Sequence, residues 1–191
     1  MSSSKNSRHY FVVGFALLAV FLFMLFFSKG LTLDSNTVQS PLIGKAAKEF
    51  HVGLLQGSEK ILGRHADSID LADFKGAPLV LNFWASWCTT CAQESRVHEA
   101  YWKAHESNGV RFLSIAVHDT REDALYAIKE QGKSYAIGFD AEGRAALNYG
   151  VTGVPETIFI NAQGLVVHKE LGPMDKALLE KYVAKIKAGS T

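Results

Sequence analysis

Leu79-Val80-Leu81-Asn82-Phe83-Trp84-Ala85-Ser86-Trp87-Cys88-Thr89-Thr90-Cys91 decides the fold. Its first six residues are a nearly continuous apolar run. That pattern suits a strand buried on both faces, in a parallel or mixed sheet covered by helices. Cys91 to Ser107 follows with helix formers and few breakers, and Asn108-Gly109 ends it. The cysteines therefore sit where a buried strand gives way to a helix. Two intervening residues put both sulfurs within disulfide reach at the first helical turn. A helix N-terminus offers free N–H groups and partial positive charge, which stabilise a thiolate. Cys88 is expected to titrate below the ~8.5 of a free cysteine and to act as nucleophile, with the more buried Cys91 as resolving thiol. A purely structural disulfide in so short a loop constrains the unfolded chain little. A metal site lacks a second cysteine pair, and the seven histidines are scattered. Copper held by Cys88, Cys91 and a distant His168 or His118 is the metal alternative. The expected site metal is none, and redox chemistry is the reading that the pair favours.

Outward from this stretch the pattern alternates. Glu49–Leu55 and Lys60–Arg64 flank the turn signal Gln56-Gly57-Ser58 and predict a hairpin. Asp70–Phe74 reads as one short helical turn. Downstream, Arg111–Val117 and Tyr135–Phe139 read as buried strands. Between them Thr120-Arg121-Glu122-Asp123 resembles a capping box opening a helix that Gly132 closes. Ala141–Tyr149 reads as a short helix, and Thr157–Asn161 and Leu165–Glu170 as strands around a second hairpin turn. Asp175–Ala188 carries Leu178, Leu179, Tyr182, Val183 and Ile186 at helical spacing. The order predicts an α/β layer fold around a mixed sheet.

The 191 residues suit one domain plus an appendage. Net charge of +1 gives no electrostatic case for a nucleic-acid partner. Two cysteines are too few for a disulfide scaffold or a four-cysteine zinc site. Tyr10 to Phe27 is an 18-residue run without charge, inside the range of about 17–25 residues that spans a bilayer. Lys5 and Arg8 precede it, which puts the N-terminus in the cytoplasm and the rest of the chain outside. The run is longer than the core of a signal peptide and ends Met24-Leu25-Phe26-Phe27, with no small-x-small cleavage site. The expected division is a cytoplasmic N-terminus (1–9), a transmembrane anchor (10–28), a linker (29–41) and a folded domain (42–191). An oxidising compartment and one closely spaced cysteine pair again point to redox chemistry.

Phe83 to Cys91 closely resembles the active-site strand, loop and helix start of thioredoxin-like proteins. Gly153-Val154-Pro155-Glu156-Thr157 resembles the loop that carries their cis-proline. The extra helix and strand from about Thr120 to Phe139 look like the insertion of the TlpA/ResA/DsbE (CcmG) branch. Val154-Pro155-Glu156-Thr157, followed by Ile158-Phe159-Ile160-Asn161, is most similar to its DsbE/CcmG group. The resemblance implies a thioredoxin-like fold with an N-terminal hairpin, a central insertion and one N-terminal transmembrane helix. It implies that Pro155 follows a cis bond and faces the disulfide, that the Val154 backbone pairs with a substrate strand, and that Trp87 contacts partners. Thioredoxins carry a buried Asp where this chain has Asn82, so another group must take the Cys91 proton. Glu94, one turn after Cys91, and Glu156, beside Pro155, match acidic positions of the branch. A carboxylate beside a buried thiol has a raised pKa and can act as its base. Thr89 departs from the dipeptide common in the group.

The resemblance further implies a monomeric, membrane-anchored disulfide reductase of the bacterial periplasm, needing no cofactor beyond the redox-active Cys88–Cys91 pair. Its client would be apocytochrome c or a cytochrome c maturation protein. Its electron donor would be a membrane thiol reductant of the DsbD/CcdA type. A reductant for a copper-site assembly protein and a copper-delivery module are the competing readings.

Overall fold

The apolar stretch Leu79–Trp84 is an interior strand of a seven-stranded sheet, and every one of its residues is buried. The computed structural model describes residues 4–31, 40–106 and 108–189. The strands are β1 (His51–Gln56), β2 (Ser68–Asp70), β3 (Leu79–Trp84), β4 (Arg111–Ala116), β5 (Ala136–Phe139), β6 (Glu156–Ile160) and β7 (Val166–Leu171). They lie in the order β2-β1-β5-β4-β3-β6-β7. β3, β4 and β5 are parallel; β1 and β6 join them antiparallel, and β2 and β7 pair antiparallel with β1 and β6 in turn. This is a thioredoxin-like α/β fold with a mixed sheet flanked by helices.

Alternation along each strand divides the core. One face presents Val80, Trp84, Phe112, Ile137 and Phe159 to α3 (Thr89–His105), α4 (Arg121–Glu130) and α6 (Lys176–Ala188). The other presents Leu79, Leu81, Phe83, Leu113, Ile115 and Ile158 to α5 (Arg144–Asn148), the 3-10 turn Leu71–Phe74 and the segment before β1. Three helix starts have side-chain caps, two of them by the residue types usual there. Cys88 caps α3, Thr120 accepts from the Asp123 amide to cap α4, and Asp175 accepts from the Leu178 amide to cap α6.

The predicted N-terminal hairpin forms with a different second arm. Ser58–Leu62 is a short helix, α2, bracketed by the left-handed residues Gly57 and Gly63. The partner of β1 is Ser68–Asp70, paired His51 to Asp70. Gly57 cannot be replaced by a strand residue: a Cβ there would lie 2.6 Å from the Ala136 Cα, and its φ of 83° turns the chain out of the sheet.

The chain divides into two units, Met1–Val38 and Gln39–Thr191. In the first, Ser4–Leu31 forms a 28-residue helix, α1. The side chains described in it, from Tyr10 and Val12 to Phe26, are exposed. Among the described residues no helix is long and apolar enough to cross a membrane. Most of the predicted linker, residues 32–39, lies outside the described residues.

Candidate active site

Cys88 and Cys91 are joined by a disulfide at the N-terminus of α3. The Cys91 amide donates to the Cys88 Sγ at 3.1 Å. Thr90 Oγ1 lies 3.3 Å from the same sulfur. Both contacts, with the helix dipole, favour negative charge on Cys88 once the bond is reduced. The cysteines are 6% and 3% exposed, so Cys91 is the deeper of the two.

Across from the disulfide, the Val154–Pro155 peptide is cis. The Val154 carbonyl oxygen lies 3.6 Å from Cys88 Sγ. The two sequence motifs, 66 positions apart, thus meet at one sulfur. Trp87 is 63% exposed, and its Nε1 donates to the His118 carbonyl. His118 itself has a φ of 51°, a left-handed conformation that few non-glycine residues adopt. The next residue, Asp119, accepts from both the amide and the hydroxyl of Ser86, at 2.6 and 2.8 Å. The β4–α4 loop therefore straps the loop that precedes the cysteines. Sequence reasoning did not find Ser86 or Asp119 as site residues, and it named His118 only as an alternative copper ligand. The only nearby signal was the cap at Thr120, which reports a helix start and not a reach back of 33 residues.

The two candidate carboxylates have different surroundings. Glu94 is 2% exposed, on the face of α3 turned to the sheet. Its Oε2 accepts from Asn82 Nδ2 at 3.2 Å, and its Oε1 accepts from the Met174 amide at 3.0 Å. Asn82 is held in turn, donating to Thr157 Oγ1 and accepting from Ser114 Oγ. Asn82, Ser114 and Thr157 occupy matching register positions on β3, β4 and β6. Burial is the main cause that pushes Glu94 up to about 7, against these hydrogen bonds and the nearby Lys133 charge. Lys133 is itself buried and pushed down to about 7, with its ammonium 3.0 Å above the centre of the Trp84 ring. His98 Nε2 is 3.8 Å from Glu94 Oε1. Burial pushes this histidine down to about 3, so the imidazole is neutral and the contact is no salt bridge at physiological pH.

Glu156 adjoins Thr157 on β6, so strand alternation sends its side chain to the opposite sheet face. There its Oε1 accepts from the amides of Thr152 and Gly153 and from the Thr152 hydroxyl, at 2.8, 3.1 and 2.9 Å. Its Oε2 is 2.7 Å from Lys169 Nζ. A carboxylate with both oxygens engaged, across the sheet from α3, does not fit the expectation that Glu156 takes a cysteine proton. Among the described residues no group of three or more His, Cys, Asp or Glu side chains could hold a metal ion. His168 instead contacts Glu170 and stacks on Tyr182.

Residues 43–186 match the Redoxin family model. The thiol:disulfide interchange protein DsbE of Allochromatium vinosum is 33% identical over 175 residues, covering 91% of this chain and 88% of that protein. DsbE of Escherichia coli K12 is 30% identical over 151 residues, covering 78% and 76%. Among solved structures, a Chlorobium tepidum chain provisionally named DsbE superposes with a TM-score of 0.67 at 23% identity, covering 75% of this chain and 96% of that one. With the disulfide at the helix start and the cis-proline loop opposite, these matches make the chain a member of the Redoxin family, related to the DsbE proteins, and a thiol–disulfide oxidoreductase.

Proposed function

We propose that this chain is a membrane-anchored periplasmic reductant that keeps client disulfides open during cytochrome c maturation. The observation that carries the reading is the Val154 carbonyl facing the Cys88 sulfur, with the cysteine pair at a helix N-terminus. The relatives named DsbE support the cellular setting. The uncharged run from Tyr10 to Phe27 supports the anchor.

In the reduced chain the Cys88 thiolate attacks one sulfur of a client disulfide. A mixed disulfide forms and the other client sulfur leaves as thiolate. Val154 pairs with the client backbone, and Trp87 offers the exposed contact beside the nucleophile. Glu94, in its carboxylate form, accepts the Cys91 proton. The Cys91 thiolate then attacks Cys88 Sγ, closing the Cys88–Cys91 bond and releasing the second client thiolate. Two electrons have passed to the client. A membrane thiol reductant of the DsbD/CcdA type returns them, since the periplasm is kept oxidising.

Cys91→Ser removes the resolving thiol and tests this order of events. In the full chain expressed in its membrane, it traps a mixed disulfide with one dominant partner on non-reducing gels. Capture of an apocytochrome or a maturation protein is the expected result. Absence of any trapped species overturns the role. Capture of a copper-site assembly protein moves the client to that class.

A further inference from the structure

We propose that Lys169 is a positioning residue for client binding: from β7, on the sheet face opposite the cysteine helix, its ammonium seats the loop that presents Val154. This rests on the reading of Val154 as the client-pairing residue.

The Lys169 ammonium has three N–H donors; it hydrogen-bonds two backbone carbonyls and forms an ion pair with Glu156. The Gly150 carbonyl lies at 2.6 Å, the Tyr149 carbonyl at 3.1 Å and Glu156 Oε2 at 2.7 Å. Glu156 Oε1 in turn holds Thr152 and Gly153. One lysine and one glutamate therefore fix Tyr149, Gly150, Thr152 and Gly153, four of the five residues that precede Val154. The side chains of the pair are 6% and 3% exposed, so their mutual ion pair is shielded from water.

The register explains why Lys169 can do this. Glu156 pairs with Leu171 and Ile158 with Lys169, which places Glu156 and Lys169 diagonally on one face. The other end of the loop is held too, because the Gly172 amide donates to the Pro155 carbonyl at 2.9 Å. Val154 lies between these two attachments, facing the disulfide. Nothing in the Lys169 environment touches a cysteine. Its influence on the reaction runs through the position of the Val154 backbone.

A client that pairs with Val154 depends on the pair, whereas a small aromatic disulfide that meets only Cys88 does not. The test compares reduced wild type and Lys169→Met, both as the full chain in detergent. One probe is an oxidised peptide containing a Cys-X-X-Cys-His disulfide, and the other is 5,5′-dithiobis(2-nitrobenzoate). The expected result is a fall of about tenfold in kcat/KM for the peptide relative to the small disulfide, entering through KM. Lys169→Met leaves Glu156 buried without its counter-charge, so Lys169→Met/Glu156→Gln serves as a second variant. Its neutral side chain keeps an oxygen for the Thr152 and Gly153 amides, and the same selective loss is expected. An equal loss on both probes, or none on either, overturns the assignment. A wild-type chain that reacts with the small disulfide but not the peptide overturns the Val154 reading on which it rests.

Discussion

In the proposed reaction Glu94 is the residue that takes the Cys91 proton before the second step. It is buried, hydrogen-bonded to Asn82 and the Met174 amide, and raised to about 7 by its burial. Glu94→Gln cannot accept a proton. The release of client from the mixed disulfide is expected to slow about a hundredfold at neutral pH, the lower end of general acid–base contributions. Stopped-flow measurement should also show that the variant loses the inflection near pH 7. Stability gives an independent check. Because Glu94 is raised from 4.5 to about 7 in the folded chain, the stability it confers is complete below pH 4.5 and is lost as pH rises through about 7. His98, pushed down from 6.5 to about 3, works in the opposite sense: its contribution is present above 6.5 and is lost as pH falls through about 3. Urea midpoints between pH 4.5 and 7 should therefore fall less in Glu94→Gln than in wild type. Glu94 was legible as a candidate because it lies one turn after Cys91. Lys169 was not legible: its partner is reached across a strand pair, and only the register reveals the diagonal.

At the scale of elements, the strands buried on both faces were readable and the short N-terminal ones were not. β3 and β4 are six-residue strands in which apolar residues predominate, a signal that survives without any tertiary information. α2 and β2 have five and three residues, too few to show a period of 3.6 or 2. Their identity comes from what they pack on. β1 docks against β5 where Gly138 leaves room, since a Cβ there would meet Val52 Cγ2 at 2.7 Å. Gly138→Val should force these two strands apart while β3, β4, β6 and β7 keep their mutual pairing. Hydrogen exchange should then show lost amide protection in β1 and β2 and retained protection in β3 and β4. Uniform loss across the sheet would mean that the β1–β5 seam is not a separate structural unit.

At the scale of the whole molecule, the direction of electron flow is a property of the Cys88–Cys91 pair relative to its partners. A reductant in an oxidising compartment needs a low potential. The expected value for the full chain, equilibrated against glutathione or dithiothreitol, is near thioredoxin's, about −270 mV. A value near about −120 mV, like that of DsbA, would make the chain an oxidant and reverse the proposed role. The fold class followed from alternating buried strands and helices, and the cysteine and proline positions from two short motifs. The distribution of the two carboxylates over opposite faces of the sheet did not, because it depends on which residue of β6 pairs with Asn82.

The sheet order also sets a sequence of events. β1 leaves the ribosome first, yet its neighbour β5 lies more than 80 residues further on, so the first strand synthesised pairs with one of the later ones. Contacts of such long separation raise the contact order, and domains dominated by them fold in milliseconds to seconds. The β1–β2 hairpin therefore waits without its neighbour β5 until most of the domain has emerged. In a chain delivered across a membrane, folding is completed only after translocation has carried β5 through, and until then β1 offers an open strand edge to whatever chaperone receives it.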